Sequence, residues 1–142
     1  VGAVVRPLPV PFTIRKERNV KIALSALLFS LLLLVGCTQS AEYQKISAEE
    51  ASKMMTEEVI ILDVRTQGEY DEGHIPGAVL LPDSEVAQRA EEILPNKGQT
   101  ILVYCRSGRR SALAAEALAK LGYTDVYDFG GIIDWPGEIT TE

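Results

Sequence analysis

Four short apolar runs, separated by helical and turn signals, constrain this chain more than any other feature. They are VIILDV (Val59–Val64), AVLLP (Ala78–Pro82), TILVY (Thr100–Tyr104) and VYDF (Val126–Phe129). Each is too short for a buried helix, and turn residues bound them, so each reads as a buried strand. Helices fall between them. Ser47-Ala-Glu-Glu50 is a capping box that opens a helix to about Met55, with Ile46 placed to staple its first turn. Asp83 or Ser84 is expected to cap a helix carrying Val86, Ala90, Ile93 and Leu94 on one face and ending before Pro95. Ser111 to Leu121 reads as a helix stopped by Gly122. Gly68, Gly73, Pro76 and Gly77 punctuate a long connection, and Asn96-Lys-Gly98 is a turn. Strands alternating with helices predict an α/β domain with a mostly parallel sheet.

The 142 residues allow one domain of ordinary size with some tail. Two cysteines, Cys37 and Cys105, exclude a disulfide framework. His74 is the only histidine, so no zinc site is expected. Residues 1–36 hold five Lys/Arg against Glu17, which leaves nine Lys/Arg and nineteen Asp/Glu, a net of −10, for the remainder. Nucleic acid is a poor partner for such a surface.

The first 36 residues read as an address. A basic segment, Arg15 to Lys21, precedes an apolar run, Ile22 to Val35, and then LVGC, Leu34 to Cys37. This fourteen-residue run, interrupted only by Ser25 and Ser30, falls short of the about 20 that a membrane span needs and suits a secretory signal. LVGC resembles a bacterial lipobox, which makes Cys37 the expected lipidation site and the first mature residue. Thr38, rather than aspartate, follows Cys37. The expected location is therefore the periplasmic side of the outer membrane in a Gram-negative cell, and otherwise the cell-surface membrane. Val20 is an alternative start, with residues 1–19 a non-native extension. Residues 37–42 form a lipidated tether and 43–142 the folded domain.

Within that acidic domain, three arginines crowd one thiol. The loop Cys105-Arg106-Ser107-Gly108-Arg109-Arg110 follows a buried strand and precedes a helix. Ligands in open α/β sheets bind at such junctions. Unpaired backbone N–H groups and the helix dipole favour an anion there. With the arginine charges, they should lower the Cys105 pKa below the free-thiol value of about 8.5 and hold an anionic substrate against the sulfur. The three arginines cannot all face the sulfur, and one or two are expected to pair with surface carboxylates.

These segments resemble the rhodanese (sulfurtransferase) family. IILDVRTQGEYDEGHIPGAVLLP (Ile60–Pro82) is similar to its upstream motif, YCRSGRRS (Tyr104–Ser111) to its active-site loop, and GYTDVYDFGGIIDWPGE (Gly122–Glu138) to its closing segment. The resemblance implies a three-layer α/β sandwich with helices on both faces of a mostly parallel sheet. It also implies transfer of sulfane sulfur. The Cys105 thiolate attacks the outer sulfur of thiosulfate or a similar small anion, sulfite leaves, and a thiol, cyanide or protein thiol takes the sulfur from the persulfide. No metal or organic cofactor is implied. Arg106, Ser107, Gly108, Arg109, Arg110 and Ser111 are candidate substrate contacts.

Arg65 is either a further contact for the anion or the partner of Asp63 or Glu69, and the pair is favoured. His74 is either a base for Cys105 or, as favoured, a hydrogen-bonded turn residue. Trp135 reads as a core or rim aromatic. Three other functions compete, and one of them, a thioredoxin-type oxidoreductase, lacks its Cys-x-x-Cys pair here. A tyrosine-type phosphatase needs Cys, five residues, then Arg, and the position of that arginine is Ser111. A non-enzymatic rhodanese-like module would bind a partner or sense sulfur compounds, but such modules often lack the cysteine kept here.

Overall fold

The protein is described by a computed structural model that covers Gly2 and residues 42–142. The readings on residues 1–36 and on Cys37 fall outside the described residues. The fold is α/β. Five parallel strands, β1 (Gln44–Lys45), β2 (Ile60–Asp63), β3 (Val79–Leu80), β4 (Ile101–Cys105) and β5 (Val126–Gly131), lie in the order β1-β5-β4-β2-β3. Between them run α1 (Ala48–Met54), α2 (Gln67–Glu72), α3 (Val86–Ile93) and α4 (Arg109–Lys120), and a 3-10 turn, Ile132–Asp134, comes after β5.

β4 is central and wholly buried, and its alternation sorts the core. Ile101, Val103 and Cys105 join Leu62, Val86, Ala90, Ala115 and Leu118 on the face covered by α3 and α4. Leu102 and Tyr104 join Ala48, Ala51, Ile75 and Phe129 on the face covered by α1. Cys105 is thus aimed at the first turns of α4.

Several elements depart from the sequence reading. α1 keeps its capping box, with Ser47 and Glu50 each bonding the other's backbone N–H. α2 was expected as part of a loop, yet Thr66 and Glu69 form a second capping box. Gly68 inside the first turn obscured that signal, since glycine weakens a helix. α3 starts at Val86 with no side-chain cap. Neither Asp83 nor Ser84 is the cap, because both lie in a turn closed by the Glu85 N–H on the Pro82 carbonyl, which delays the helix and leaves Glu85 at the N-cap position. α4 begins at Arg109, two residues before the expected Ser111, with Gly108 as its N-cap. β3 is only two residues long, and β1 had no strand signal in the sequence.

The register of β4 against β5 shifts near the site. Val103 pairs with Asp128 but Cys105 pairs with Gly131, so β5 carries one extra residue there. Such a bulge bends the strand and re-aims the residues beyond it. Here it brings Gly131 against the chain leaving β4. A side chain at Gly131 would collide with the Arg106 carbonyl oxygen. The Ile133 N–H also reaches that oxygen, at 3.4 Å.

Candidate active site

Cys105 is the last residue of β4 and is 1% exposed. The chain turns through Arg106 to Gly108 and enters α4. The turn is tight enough to require φ of 102° at Gly108, a left-handed value that favours glycine. That conformation points the Gly108 N–H at the sulfur, 3.1 Å from Sγ. Ser111, in the first turn of α4, places its Oγ 3.6 Å from Sγ. Its hydroxyl also reaches the Gly108 carbonyl at 3.1 Å and the Gly130 carbonyl at 3.2 Å.

Burial pushes the Cys105 thiol up. The Ser111 N–H and hydroxyl, then the Gly108 and Ser107 N–H groups, outweigh it, so its pKa ends below the ordinary thiol value. This refines the expectation from sequence: the leading groups that favour the thiolate are the loop's own donors, not the arginines. An N–H cradle of this kind stabilises a thiolate on that sulfur.

The three loop arginines have different fates. Arg110 is held by Glu69 from α2 through two bonds of 2.8 and 2.7 Å. That contact lowers the Glu69 pKa to about 2, and the Arg110 guanidinium pKa rises for the same reason. Arg110 and the Cys105 thiolate also favour each other's charged form. Arg106 and Arg109 are exposed, and neither has an ion pair among the described residues.

Arg65 is tied into the fold. Its guanidinium is buried against Asp63 at 2.7 Å, and it also bonds the Gly73 carbonyl at 2.7 Å. The alternative of a substrate contact is therefore replaced by the ion pair. The partner is Asp63, while Glu69 serves Arg110. His74 is buried, with Nδ1 2.9 Å from the Tyr70 carbonyl and Nε2 3.1 Å from the Glu142 carbonyl. Its ring stacks on Tyr70, so it is the turn histidine. Trp135 is half-buried and packs on Phe129.

Two contributors escaped the sequence reading. Glu69 was named only as a partner for Arg65. Asp128 is fully buried, and its Oδ1 accepts the Gly130 N–H at 3.0 Å. It thereby holds the bulge whose Gly130 carbonyl meets the Ser111 hydroxyl. The alternation of VYDF put Asp128 on the face shared with Val126, and a carboxylate there was the available signal.

Comparison with known proteins agrees with this geometry. The profile described as "Rhodanese-like domain" matches residues 47–138. The chain belongs to the rhodanese-like family. It is 41% identical over 73 residues to the thiosulfate sulfurtransferase PspE of Escherichia coli strain K12, covering 51% of this chain and 70% of that protein. It is 39% identical over 94 residues to a sulfurtransferase of Allochromatium vinosum, covering 64% of this chain and 86% of that one. Among solved structures, a rhodanese with anions from E. coli superposes with a TM-score of 0.56 at 36% identity, covering 59% of this chain and 99% of the other. The rhodanese-like segments quoted from the sequence meet around one sulfur. β4 delivers Cys105, α2 anchors Arg110, and the glycine pair at the end of β5 closes over the loop.

Proposed function

We propose that this chain is a sulfurtransferase that takes sulfane sulfur from thiosulfate or a similar anion as a persulfide on Cys105 and passes it to a thiol, cyanide or protein thiol. One observation carries the reading: a recessed thiol, its pKa lowered, held by the Gly108 N–H at 3.1 Å with Ser111 at 3.6 Å. The thiolate attacks the outer sulfur of the donor. The sulfur–sulfur bond of thiosulfate breaks, and sulfite leaves with the electron pair. The cradle then faces the negative persulfide. Arg106 and Arg109 at the loop surface are the free charges available to the departing anion. A relative is described as a rhodanese with anions, in keeping with a site for negative groups.

Phosphoryl transfer has less support. Six residues after Cys105 stands Ser111, not arginine, and the nearest guanidinium in sequence to that position is held by Glu69. The test is the intact mass of the protein after thiosulfate. A gain of about 32 Da, lost on adding cyanide or a thiol, is expected for covalent sulfur transfer. Unchanged mass with thiosulfate and with other sulfane donors would exclude the reading.

The reading includes membrane attachment through a lipid on Cys37, supported by the basic segment, the apolar run and LVGC. Cys37→Ala is expected to abolish labelling by radioactive fatty acid and release the protein from membranes. Wild-type protein that is wholly soluble and unlabelled would remove this part.

A further inference from the structure

The nine Lys and Arg of the described domain are distributed unevenly between paired and free. Arg65, Arg89, Lys97, Arg110 and Lys120 all have carboxylate partners. Lys45, Lys53, Arg106 and Arg109 have none among the described residues. Three of these four border the catalytic loop. Arg106 is in it, and Arg109 and Lys45 line an open groove of about 610 Å³ beside Ser107 and Gly108. Asp134 is the one carboxylate on that groove among the described residues.

Exposed apolar residues adjoin the same cations. Ile133 is 65% exposed, and its backbone bonds Arg106. Leu113 is 54% exposed, one helical turn from Arg109 on α4. Neither is needed to hold the sulfur. A cationic face with an apolar rim, on a domain whose net charge is −10, is complementary to acidic polypeptide in this one orientation and repels it elsewhere. A small anion would need only the loop.

We propose that the face formed by Lys45, Arg106, Arg109, Leu113 and Ile133 docks an acidic polypeptide that presents the accepting thiol. This rests on the persulfide reading above. The acceptor thiolate attacks the outer sulfur of the Cys105 persulfide, a new sulfur–sulfur bond forms on the acceptor, and the bond to Sγ breaks. The electron pair returns to the Cys105 thiolate, and any proton on the outer sulfur travels with that sulfur or passes to solvent. No further oxidant or reductant is required.

The test uses the full chain and two synthetic peptides, each with one cysteine and an apolar residue. One is flanked by Asp and Glu, the other by Lys. The rate of sulfur loss from the persulfide is followed by mass, with cyanide as the small acceptor. At low salt the acidic peptide is expected to react about tenfold or more faster than the basic one. The preference should shrink as salt shortens the screening length to about 10 Å at 0.1 M and below. Lys45→Glu should reduce the acidic peptide's advantage several-fold and leave transfer to cyanide unchanged. Serine versions of both peptides, with a fluorescent label, report docking to the unloaded chain by anisotropy. Preferential, salt-sensitive binding without any transfer would support the surface while overturning the proposed function. Equal rates and equal binding for the two peptides would overturn the surface and leave sulfur transfer standing. A dimer in solution that buries Arg109 and Ile133 would overturn it as well.

Discussion

Two segments leave the carboxyl ends of neighbouring strands β2 and β4 and use similar residue types in opposite ways. After β2, the polar groups turn inward. Arg65 is closed onto Asp63 and the Gly73 carbonyl, each ring nitrogen of His74 faces a backbone carbonyl, and Tyr70, stacked on that ring, donates to the Ala78 carbonyl at 2.7 Å. After β4, the backbone donors converge on one sulfur, while Arg106 and Arg109 stand free. The difference is a carboxylate. Asp63 offers Arg65 a buried partner within two residues, and the loop after Cys105 contains no acid. The residue type does not decide whether an arginine is tied into the fold or left free; an acid within its reach does. Arg110 is the seam between the two, reaching from the reactive loop to Glu69 of the closed one.

The largest effect should come from the open loop. Cys105→Ser is expected to abolish sulfur transfer to cyanide and the mass gain with thiosulfate while urea unfolding stays cooperative. A hydroxyl cannot form a persulfide. Appreciable transfer by the mutant would remove Cys105 from the chemistry. The closed segment should break differently. Asp63→Ala leaves the buried Arg65 guanidinium uncompensated, and losing one partner of a buried pair costs about 3–5 kcal/mol. The expected result is a large fall in the urea midpoint. A loss below about 1 kcal/mol would mean that Arg65 escapes to solvent as surface pairs do.

This contrast also explains what the sequence disclosed. The strands in the sheet centre were legible because each is a continuous apolar run buried on both faces. Cys105 and its helix start were legible because thiol, glycine and basic residues stand together. α2 was hidden by Gly68, although Thr66 and Glu69 carried the capping signal. β1 was hidden because both its residues are exposed. The partner of Arg110 was not legible, since Glu69 lies 41 positions away and only the fold joins them. Nor was the bulge in β5, which is a matter of register and not of residue type.

A smaller effect is expected at the seam. Glutamine can keep the capping box at position 69, so Glu69→Gln removes the ion pair with little change to α2. The pair is partly exposed, and such pairs contribute about 0–1 kcal/mol. The pH dependence identifies it. Glu69 titrates at about 2 when folded, against an ordinary 4.5. Its contribution is fully present above the ordinary value and is lost as pH falls through the folded one. Wild type should therefore lose more stability than Glu69→Gln between pH 4.5 and 2. Parallel unfolding curves for the two proteins across that interval would show that the pair contributes nothing.

The smallest effect tests whether the open loop activates its thiol through its donors or through its arginines. Ser111 supplies both an N–H and a hydroxyl that favour the thiolate, and the arginines are absent from the leading influences. Ser111→Ala keeps the N–H and removes only the hydroxyl. Alanine suits the first turn of α4, and the Gly108 carbonyl retains the Ala112 N–H at 3.2 Å. The midpoint of iodoacetamide alkylation against pH should therefore rise toward the value of a free thiol. Arg109→Gln removes a full charge that is exposed and screened by water, so its midpoint should move less. The order of these two shifts is the measurement. If Arg109→Gln raises the midpoint more than Ser111→Ala, charge rather than the N–H cradle activates Cys105, and the contrast between the two loops has been drawn in the wrong place.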